Sequence, residues 1–344
     1  MGPANANRVG RHRPVPRGFR PPVRRRRARL ASVIVVISAL AVIVSAFMVL
    51  GARNPKQATQ PPQPHRSSAL PTAPESYLGV YASGVPFSYA GVTTFTTATG
   101  VRPRLVVYYS GWMESFQTSF ATTVAKHGAV PLVQMDPTNV SIAAIAKGQY
   151  DAYLISYAEA VRAYRKPVIL SFGHEMNGTW YSWGYRYTSP VTFVTAWRHI
   201  VDIFRAHGAR NVTWMWTVNI IKTKNGRIPN PAPWWPGKSY VTWVGIDAYY
   251  LQPSWQFAPI FGPTIIAVRE LTSDPILVAE TSATRAANQP AKITNLFAGI
   301  RTYGLLGFVW FNAISASLDY RISGAEAIAA LRRGAKTYSR PPHD

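Results

Sequence analysis

Eight short apolar runs, separated by longer stretches with helical periodicity, fill the sequence from residue 76 onward. The runs lack a strict apolar–polar alternation, which is typical of parallel strands covered on both faces. The clearest predicted helices are DAYLISYAEAVRAYRK and PVTFVTAWRHIVDIFRAHG. Eight strands, each followed by a helix, predict an α/β protein with a (β/α)8 TIM barrel. The predicted strands are residues 77–81, 104–109, 129–135, 167–172, 211–217, 240–246, 275–280 and 307–311.

Signatures of several other folds and chemistries are missing from the sequence. No predicted strand is followed by the GxGxxG of a Rossmann fold, and there is no Walker motif or G-x-S-x-G. The fourth residue after His174 is Gly178, so the zinc-binding HExxH is absent. The chain contains no cysteine, which excludes disulfides, zinc–thiolate sites and cysteine nucleophiles. We therefore expect no cofactor and no metal.

The N-terminal segment predicts a membrane anchor. Residues 30–52 are uncharged, and this stretch exceeds the ~20 residues that a membrane-spanning helix needs. Because RRRRAR precedes it, residues 1–29 are predicted to be a cytoplasmic tail. The Pro-, Gln- and Ser-rich residues 53–75 predict a disordered linker. Residues 76–344 would then form a domain outside the cell membrane, attached by a single pass, with secretion after cleavage as the alternative.

The net charge of +23 raises the question of nucleic-acid binding. Residues 1–29 hold ten Arg and no acidic residue, and the remaining basic residues are scattered without long runs. A nucleic-acid interface usually concentrates its charges on one element. We therefore expect no nucleic-acid partner, and we expect the globular domain to be a monomer.

Position along the predicted strands singles out four carboxylates. The active site of a TIM barrel lies at the C-terminal ends of its strands. Asp136, Glu175, Asp247 and Glu280 lie at or just after such ends, and two of them are glutamates. Two carboxylates across a barrel mouth can cleave a glycosidic bond, one as general acid and the other as nucleophile or base. The alternative is a pair of structural ion pairs at the barrel rim.

Aromatic residues follow Glu175 closely, in the stretch SFGHEMNGTWYSWG at 171–184. Flat rings bind sugar faces with a small loss of side-chain entropy. The strand residues Trp214, Trp216 and Trp243 are equally consistent with a hydrophobic core. A barrel that binds glycans without cleaving them therefore stays open as an alternative.

The motif HEMNGTWYSWG at 174–184 closely resembles the acid/base motif of glycoside hydrolase family 26, a retaining family of clan A. VGIDAYY (244–250), ILVAETSA (276–283) and VWFNAISASLDYRI (309–322) resemble that family's segments around strands 6, 7 and 8. The resemblance extends from residue 77 to the final helix.

This resemblance implies a two-step retaining mechanism. Glu175 is implied as the acid/base and Glu280 as the nucleophile, with the two carboxyl groups about 5–5.5 Å apart. Such an acid needs a raised pKa, whereas the nucleophile must stay ionised. Tyr249 is implied to hydrogen-bond the nucleophile, and Trp310 to lie beneath the sugar. His174 is implied to contact the sugar or to tune Glu175. Asn177, Trp180 and Trp183 are implied to shape the loop and to bind substrate. The full set of implied substrate-binding residues is His174, Asn177, Trp180, Trp183, Tyr249 and Trp310.

The resemblance implies a β-linked polysaccharide substrate, with mannan or glucomannan as the first expectation and endo-β-1,4-mannanase-like cleavage. Three departures from the mannan-cleaving pattern leave other substrates open. Ser171 stands where an Arg is frequent, QMDP at 134–137 lacks the usual Trp, and Tyr320 replaces a Trp. Mixed-linkage β-glucan is one alternative. A self-made envelope polysaccharide or exopolysaccharide, acted on by a hydrolase or a transglycosylase, is another.

Overall fold

A closed barrel of eight parallel strands in chain order forms the centre of the protein. The structure, a computed structural model, describes residues 70–222 and 228–339. The (β/α)8 architecture is confirmed, and every predicted strand is present. The strands are β1 Tyr77–Ala82, β2 Leu105–Gly111, β3 Val130–Asp136, β4 Val168–Phe172, β5 Val212–Asn219, β6 Trp243–Asp247, β7 Ile276–Thr281 and β8 Gly307–Asn312.

Helices surround this barrel. In the described residues they are α1 Ala90–Thr99, α2 Thr118–Lys126, α3 Ile142–Ala146, α4 Asp151–Tyr164, α5 Pro190–Ala206, α6 Phe257–Leu271, α7 Gln289–Thr302 and α8 Ala325–Ala335. A hairpin of β9 Ile314–Ser315 and β10 Leu318–Asp319 precedes α8.

One helix after every strand was expected, and β5 departs from that pattern. Within its described part, the connection to β6 contains only a 3-10 helix, Ala232–Trp234. Four prolines fall between residues 229 and 236. Because proline lacks a backbone N–H and clashes with the preceding turn, this composition prevents an α-helix.

Helix α5 shows why these sequences become helical. The Ser189 side chain accepts a hydrogen bond from the Thr192 amide, 3.2 Å away, and Pro190 occupies the first turn. Both are favourable helix-start features. Apolar residues then recur every three or four positions and are buried against the strands: Phe193, Ala196, Trp197, Ile200, Val201 and Phe204.

Alternation along the strands divides the core into two layers. Residues such as Leu132, Met215 and Trp243 fill the barrel interior. Their neighbours along the strands, including Trp214 and Trp216, pack outward against the helices. The three strand tryptophans that were open to two interpretations are therefore core residues.

The chain enters the barrel at its N-terminal face. Residues 70–75, part of the predicted linker, are described and contact the barrel: the Glu75 amide donates to the Leu305 carbonyl, and Glu75 pairs with Arg301, each at 3.0 Å. The predicted tail, membrane helix and linker up to residue 69 lie outside the described residues. Within the described ranges, no helix is long and apolar enough to cross a bilayer.

Candidate active site

The four strand-end carboxylates meet at the C-terminal end of the barrel. Asp136 ends β3, Asp247 ends β6, Glu280 lies in β7, and Glu175 follows β4 by three residues. Glu175 accepts a hydrogen bond from Asn219 at the end of β5, Asn219 pairs in register with Asp247 of β6, and Asp247 pairs with Glu280 of β7. The structure therefore brings together the pair that the sequence singled out.

A tight turn after β4 aims Glu175 into the barrel mouth. Gly173 and Glu175 both have a φ of 54°, in the left-handed region that disfavours residues with a Cβ. A Cβ on Gly173 would lie 3.0 Å from the Phe193 ring, so glycine is required there for space as well. The Glu175 amide donates to the Thr217 carbonyl at 2.9 Å, which fixes the turn to β5.

Glu175 is a buried carboxyl group with two donors. Trp180 Nε1 donates to its Oε2 at 2.6 Å, and Asn219 Nδ2 donates to its Oε1 at 2.5 Å. Burial raises the pKa of Glu175 to about 7, because the lowering by the nearby His174 charge and by the two hydrogen bonds is smaller. A carboxyl group with this pKa can both donate and accept a proton near neutral pH.

Glu280 accepts its hydrogen bonds from two tyrosine hydroxyls rather than from side-chain N–H groups. The Tyr109 hydroxyl donates to its Oε2, and the Tyr249 hydroxyl donates to its Oε1. Burial and the charge of Glu280 raise the pKa of both tyrosines well above the usual value, so both hydroxyls stay protonated. Each oxygen of Glu280 thus accepts a hydrogen bond, and the residue remains partly exposed. The Tyr249 contact was implied by the resemblance, whereas Tyr109 was not anticipated.

His174 carries a positive charge beside Glu175. Its Nδ1 bonds Asp136 Oδ1 at 2.8 Å, and its Nε2 bonds the Tyr181 hydroxyl at 3.1 Å. Burial alone lowers the pKa of His174. The charge and hydrogen bond of Asp136, together with the charges of Glu175 and Glu280, outweigh burial and raise that pKa to about 9. Both ring nitrogens are occupied within the protein, so His174 influences Glu175 through its charge.

Two residues of the implied substrate-binding set hold the loop from inside. Asn177 is fully buried; its Nδ2 donates to the Asn219 and Pro229 carbonyls, and its Oδ1 accepts from the Asn219 amide. Trp183 is also buried, and its Nε1 donates to the His174 carbonyl at 2.8 Å. Their polar atoms are bonded to backbone groups, so both residues shape the loop, as the resemblance implies.

Trp310 does not lie in the cleft. It is fully buried in the outer core layer, and its Nε1 donates to the Tyr320 carbonyl at 3.0 Å. Strand alternation turns the next residue, Phe311, to the opposite side, where it stacks on Tyr81 at 4.7 Å. Tyr320 lies 5.0 Å from the Tyr249 ring. The rings that pack beside Tyr249 are therefore Phe311 and Tyr320, whereas Trp310, which was implied to lie beneath the sugar, is buried behind the strand.

Trp180 is the implied aromatic residue that keeps an open face, with 48% of its surface exposed. Gly178 makes its position possible, because a Cβ there would lie 2.4 Å from the indole. Further exposed apolar side chains also lie in loops that follow the strands: Phe87, Met113, Tyr187, Leu251, Ile314 and Leu318. The face that carries the glutamates therefore also carries accessible apolar surface.

Asp247 is fully buried near the two glutamates. Neither of its carboxyl oxygens has a hydrogen-bond partner among the described residues. Burial and the charges of Glu280 and Glu175 raise the pKa of Asp247 well above the usual value. In residues 70–222 and 228–339, no group of three or more His, Cys, Asp or Glu side chains is placed to hold a metal ion.

Sequence reasoning missed Tyr109, Asn219 and the pairing of Asp136 with His174. All three contacts come from the C-terminal ends of strands, at β2, β5 and β3. The strand-end rule was applied to carboxylates alone, and extending it to every polar strand-end side chain would have found them.

Fold and site together define the class of protein. A (β/α)8 barrel with two glutamates of contrasting environment at its C-terminal face is the arrangement of a glycoside hydrolase.

Comparison with known proteins identifies the family. The sequence model of glycosyl hydrolase family 26 matches residues 117–284. Endoglucanase H of Acetivibrio thermocellus is 33% identical over 280 residues, covering 74% of this chain and 31% of that protein. The β-1,3-xylanase TXYA of a Vibrio species is 25% identical over 171 residues, covering 46% of this chain and 35% of that protein. The chain belongs to glycosyl hydrolase family 26.

A solved structure supports the fold. The catalytic domain of a family 26 endo-β-1,4-mannanase from Bacillus sp. JAMB-750 superposes with a TM-score of 0.61 at 15% identity, covering 76% of this chain and 86% of that one. The chain spans about a third of the length of the two curated relatives described above.

Proposed function

We propose that this chain is a retaining glycoside hydrolase that cleaves a β-linked polysaccharide. The observation that carries the proposal is the contrast between its two glutamates. Glu175 is buried with a pKa of about 7, whereas Glu280 receives a tyrosine hydroxyl on each carboxyl oxygen. Environments that differ in this way suit one carboxyl group to proton transfer and the other to nucleophilic attack.

The proposed reaction has two steps. Glu280 attacks the anomeric carbon while Glu175 protonates the leaving oxygen, so the glycosidic bond breaks and a glycosyl–Glu280 ester forms. Glu175, now ionised, takes a proton from water, whose oxygen replaces Glu280 on the sugar. Two inversions at the anomeric carbon give net retention. Trp180 Nε1 and Asn219 Nδ2 hold the Glu175 carboxylate between the two steps.

For the substrate, we place β-glucan, including mixed-linkage glucan, before mannan. The relative that matches over 280 residues is named an endoglucanase, and Ser171 and Tyr320 depart from the mannan-cleaving pattern. Mannan stays the second candidate because the family 26 structure with a similar fold is an endo-β-1,4-mannanase. Exposed Trp180 provides a ring for stacking against a sugar in either polymer.

A panel of purified polysaccharides tests this proposal: mixed-linkage glucan, β-1,3-glucan, glucomannan, galactomannan and β-1,3-xylan. Wild type and Glu280→Ala are compared by reducing ends, product size and the anomeric configuration of the first product. We expect cleavage of mixed-linkage glucan with retention, and loss of that cleavage in the variant. An inverted product would refute the mechanism, longer products would assign a transglycosylase, and binding without cleavage would assign a glycan-binding barrel.

We also propose that the chain is attached to the cell membrane, with its barrel outside. The proposal rests on the uncharged residues 30–52 and the arginines before them. Fractionation of cells that express the full chain, with protease added to intact cells, tests it. Full-length protein in the membrane fraction, with a protease-accessible barrel, is expected. Recovery of a shortened protein from the medium would favour secretion.

A further inference from the structure

Cationic side chains cluster on the N-terminal face of the barrel, opposite the glutamates. Two lie in the connection from α1 to β2, one ends α2, and three lie at the end of α8. Residues more than 200 positions apart in the chain thus converge on one face, so the linear sequence shows them as scattered. We call this set the basic patch: Arg102, Arg104, Lys126, Arg332, Arg333 and Lys336.

Adjoining surface grooves connect the members of the basic patch. One groove, of about 440 Å³, is lined by Arg102, Arg104, Arg332 and Lys336. A second, of about 500 Å³, shares Arg102 with the first and adds Lys126. A third shares Arg332 and Lys336 with the first and adds Arg333. Among the described residues, no acidic side chain lines any of these grooves.

Backbone carbonyls meet the buried parts of two arginines of the basic patch, Arg104 and Arg332. Arg104 Nη1 donates to the Ser76 carbonyl at 3.2 Å, and Arg332 Nε donates to the Thr99 carbonyl at 2.6 Å. Ion pairs of arginine with an acid in the described part of the chain are formed by Arg205, Arg301 and Arg321, outside the patch. Within the described residues, the arginines of the patch therefore form no ion pair with a carboxylate.

The chain enters the barrel beside this patch. All eight strands are parallel, so β1 begins on the N-terminal face, and Ser76, bonded to Arg104, comes just before it. Only residues 53–69 separate the predicted membrane helix from Leu70. Seventeen residues span at most about 60 Å, which is the reach that the proposed membrane attachment would leave to the barrel.

We propose that the basic patch docks on anionic lipid headgroups of the membrane to which residues 30–52 attach the chain. Each cation near an anionic bilayer strengthens binding about fivefold. The carboxylates at the opposite end, including Glu175 and Glu280, would be repelled by the same surface. Docking therefore orients the barrel with its cleft toward the surrounding polysaccharide, which adds an interaction surface to the proposed catalytic function.

Vesicle sedimentation with residues 70–344 tests the docking apart from the predicted membrane helix. The core of the barrel is formed by residues 77–338, so this fragment retains it whole. Vesicles of phosphatidylcholine alone are compared with vesicles that also contain phosphatidylglycerol. Binding to the mixed vesicles alone, weakened by salt, is expected. Equal binding to both vesicle types would overturn the proposal.

The variant Arg102→Gln/Lys126→Gln/Arg333→Gln removes three exposed patch charges for which no structural hydrogen bond is seen in the described residues. Its affinity for the anionic vesicles should fall about 100-fold. Lys147→Gln/Arg186→Gln/Arg285→Gln, which removes the same charge from segments following β3, β4 and β7, is the matched control and should bind nearly as wild type. If both variants lost vesicle affinity equally, net charge alone would explain the binding, and the proposal of a defined docking patch would be refuted.

Duplex DNA serves as a soluble competitor for the patch. If DNA instead bound as tightly as the anionic vesicles and lost the same affinity in the patch variant, the assignment to lipid would be wrong. The patch would then be a general polyanion-binding site. Glycan cleavage by the same preparations reports on folding. Cleavage also distinguishes failure of docking from failure of the proposed hydrolase activity, because the residues proposed for docking and those proposed for catalysis are different.

Discussion

At the scale of single residues, Asp136 governs the proton affinity of Glu175 through His174. Asp136 holds His174 as a cation by a 2.8 Å hydrogen bond, and that cation lowers the pKa of Glu175. Without Asp136, only the charges of Glu175 and Glu280 would oppose the effect of burial, so the pKa of His174 would fall. The proton on Glu175, the proposed catalytic acid, therefore depends on Asp136, a carboxylate with no hydrogen bond to Glu175 among the described residues.

The variant Asp136→Asn should shift the alkaline limb of the kcat/KM profile upward. That limb reports deprotonation of Glu175, whose pKa is about 7 in the wild-type protein. Loss of the positive charge on His174 raises the pKa of Glu175, so activity persists to higher pH. The profile is measured on the polysaccharide that the panel identifies.

Asp151→Asn is the matched control for that profile. Asp151 also pairs with a histidine, His199, at 2.7 Å, on the helices outside the barrel. Its removal should leave the alkaline limb in place. An unmoved limb in Asp136→Asn would show that His174 does not set the pKa of Glu175.

Tyr109→Phe should lower kcat/KM by about 10- to 100-fold, as Tyr249→Phe should. Each hydroxyl bonds one oxygen of Glu280, and a hydrogen bond to a charged group contributes about 1.5–3 kcal/mol. Tyr108→Phe alters the neighbouring tyrosine, which faces the outer core layer, and should change kcat/KM little. Activity of Tyr109→Phe equal to that of Tyr108→Phe would remove Tyr109 from the catalytic site.

At the scale of elements, Asn177 joins two loops of the active-site face. Its amide connects the segment after β4 to the end of β5 and to Pro229. Since Trp180 and Asn219 approach Glu175 from these two segments, the positions of both donors depend on this connection.

Asn177→Ala should lower both stability and kcat/KM. Buried backbone groups lose their partners, at a cost of about 1–3 kcal/mol in unfolding free energy. Asn211→Ala offers a comparison, because Asn211 Nδ2 bonds two backbone carbonyls, each at 2.8 Å, at the opposite end of the barrel. We expect a similar fall in Tm but unchanged kcat/KM well below Tm. Unchanged kcat/KM in Asn177→Ala would contradict a role in positioning the donors.

The elements also differ in how much of their structure the sequence predicts. Strands were predictable because buried parallel strands are short and apolar throughout, and Glu175 and Glu280 followed from strand ends. The inward or outward direction of Trp310 was not predictable, since a strand apolar on both faces carries no alternation to reveal it. Likewise, the contact between Tyr109 and Glu280 joins β2 to β7. The two strands are far apart in the sequence, so no local sequence pattern predicts this contact.

For the whole molecule, the burial of Glu175 reduces stability above acidic pH. Its pKa rises from 4.5 to about 7 on folding, so the folded state holds the proton more tightly than the unfolded state. Its contribution to stability is fully present below pH 4.5 and is lost as pH rises through about 7.

Glu175→Gln should therefore stabilise the protein at about pH 8 but hardly at about pH 4, because glutamine does not titrate. We expect the Tm of the variant to exceed that of wild type by about 2–6 °C at the higher pH. Thermal unfolding at both pH values measures this difference. An equal difference at both would mean that the ionisation of Glu175 carries no stability cost.

The pairing of β1 with β8 has a consequence for synthesis. Six register pairs, from Tyr77 with Gly307 to Ala82 with Asn312, join the beginning of the barrel to its end. A growing chain that has not reached Gly307 leaves the edges of β1 and β7 without neighbours. The barrel therefore closes only after β8 has been synthesised, and a nascent chain stays without enzyme activity until that strand emerges.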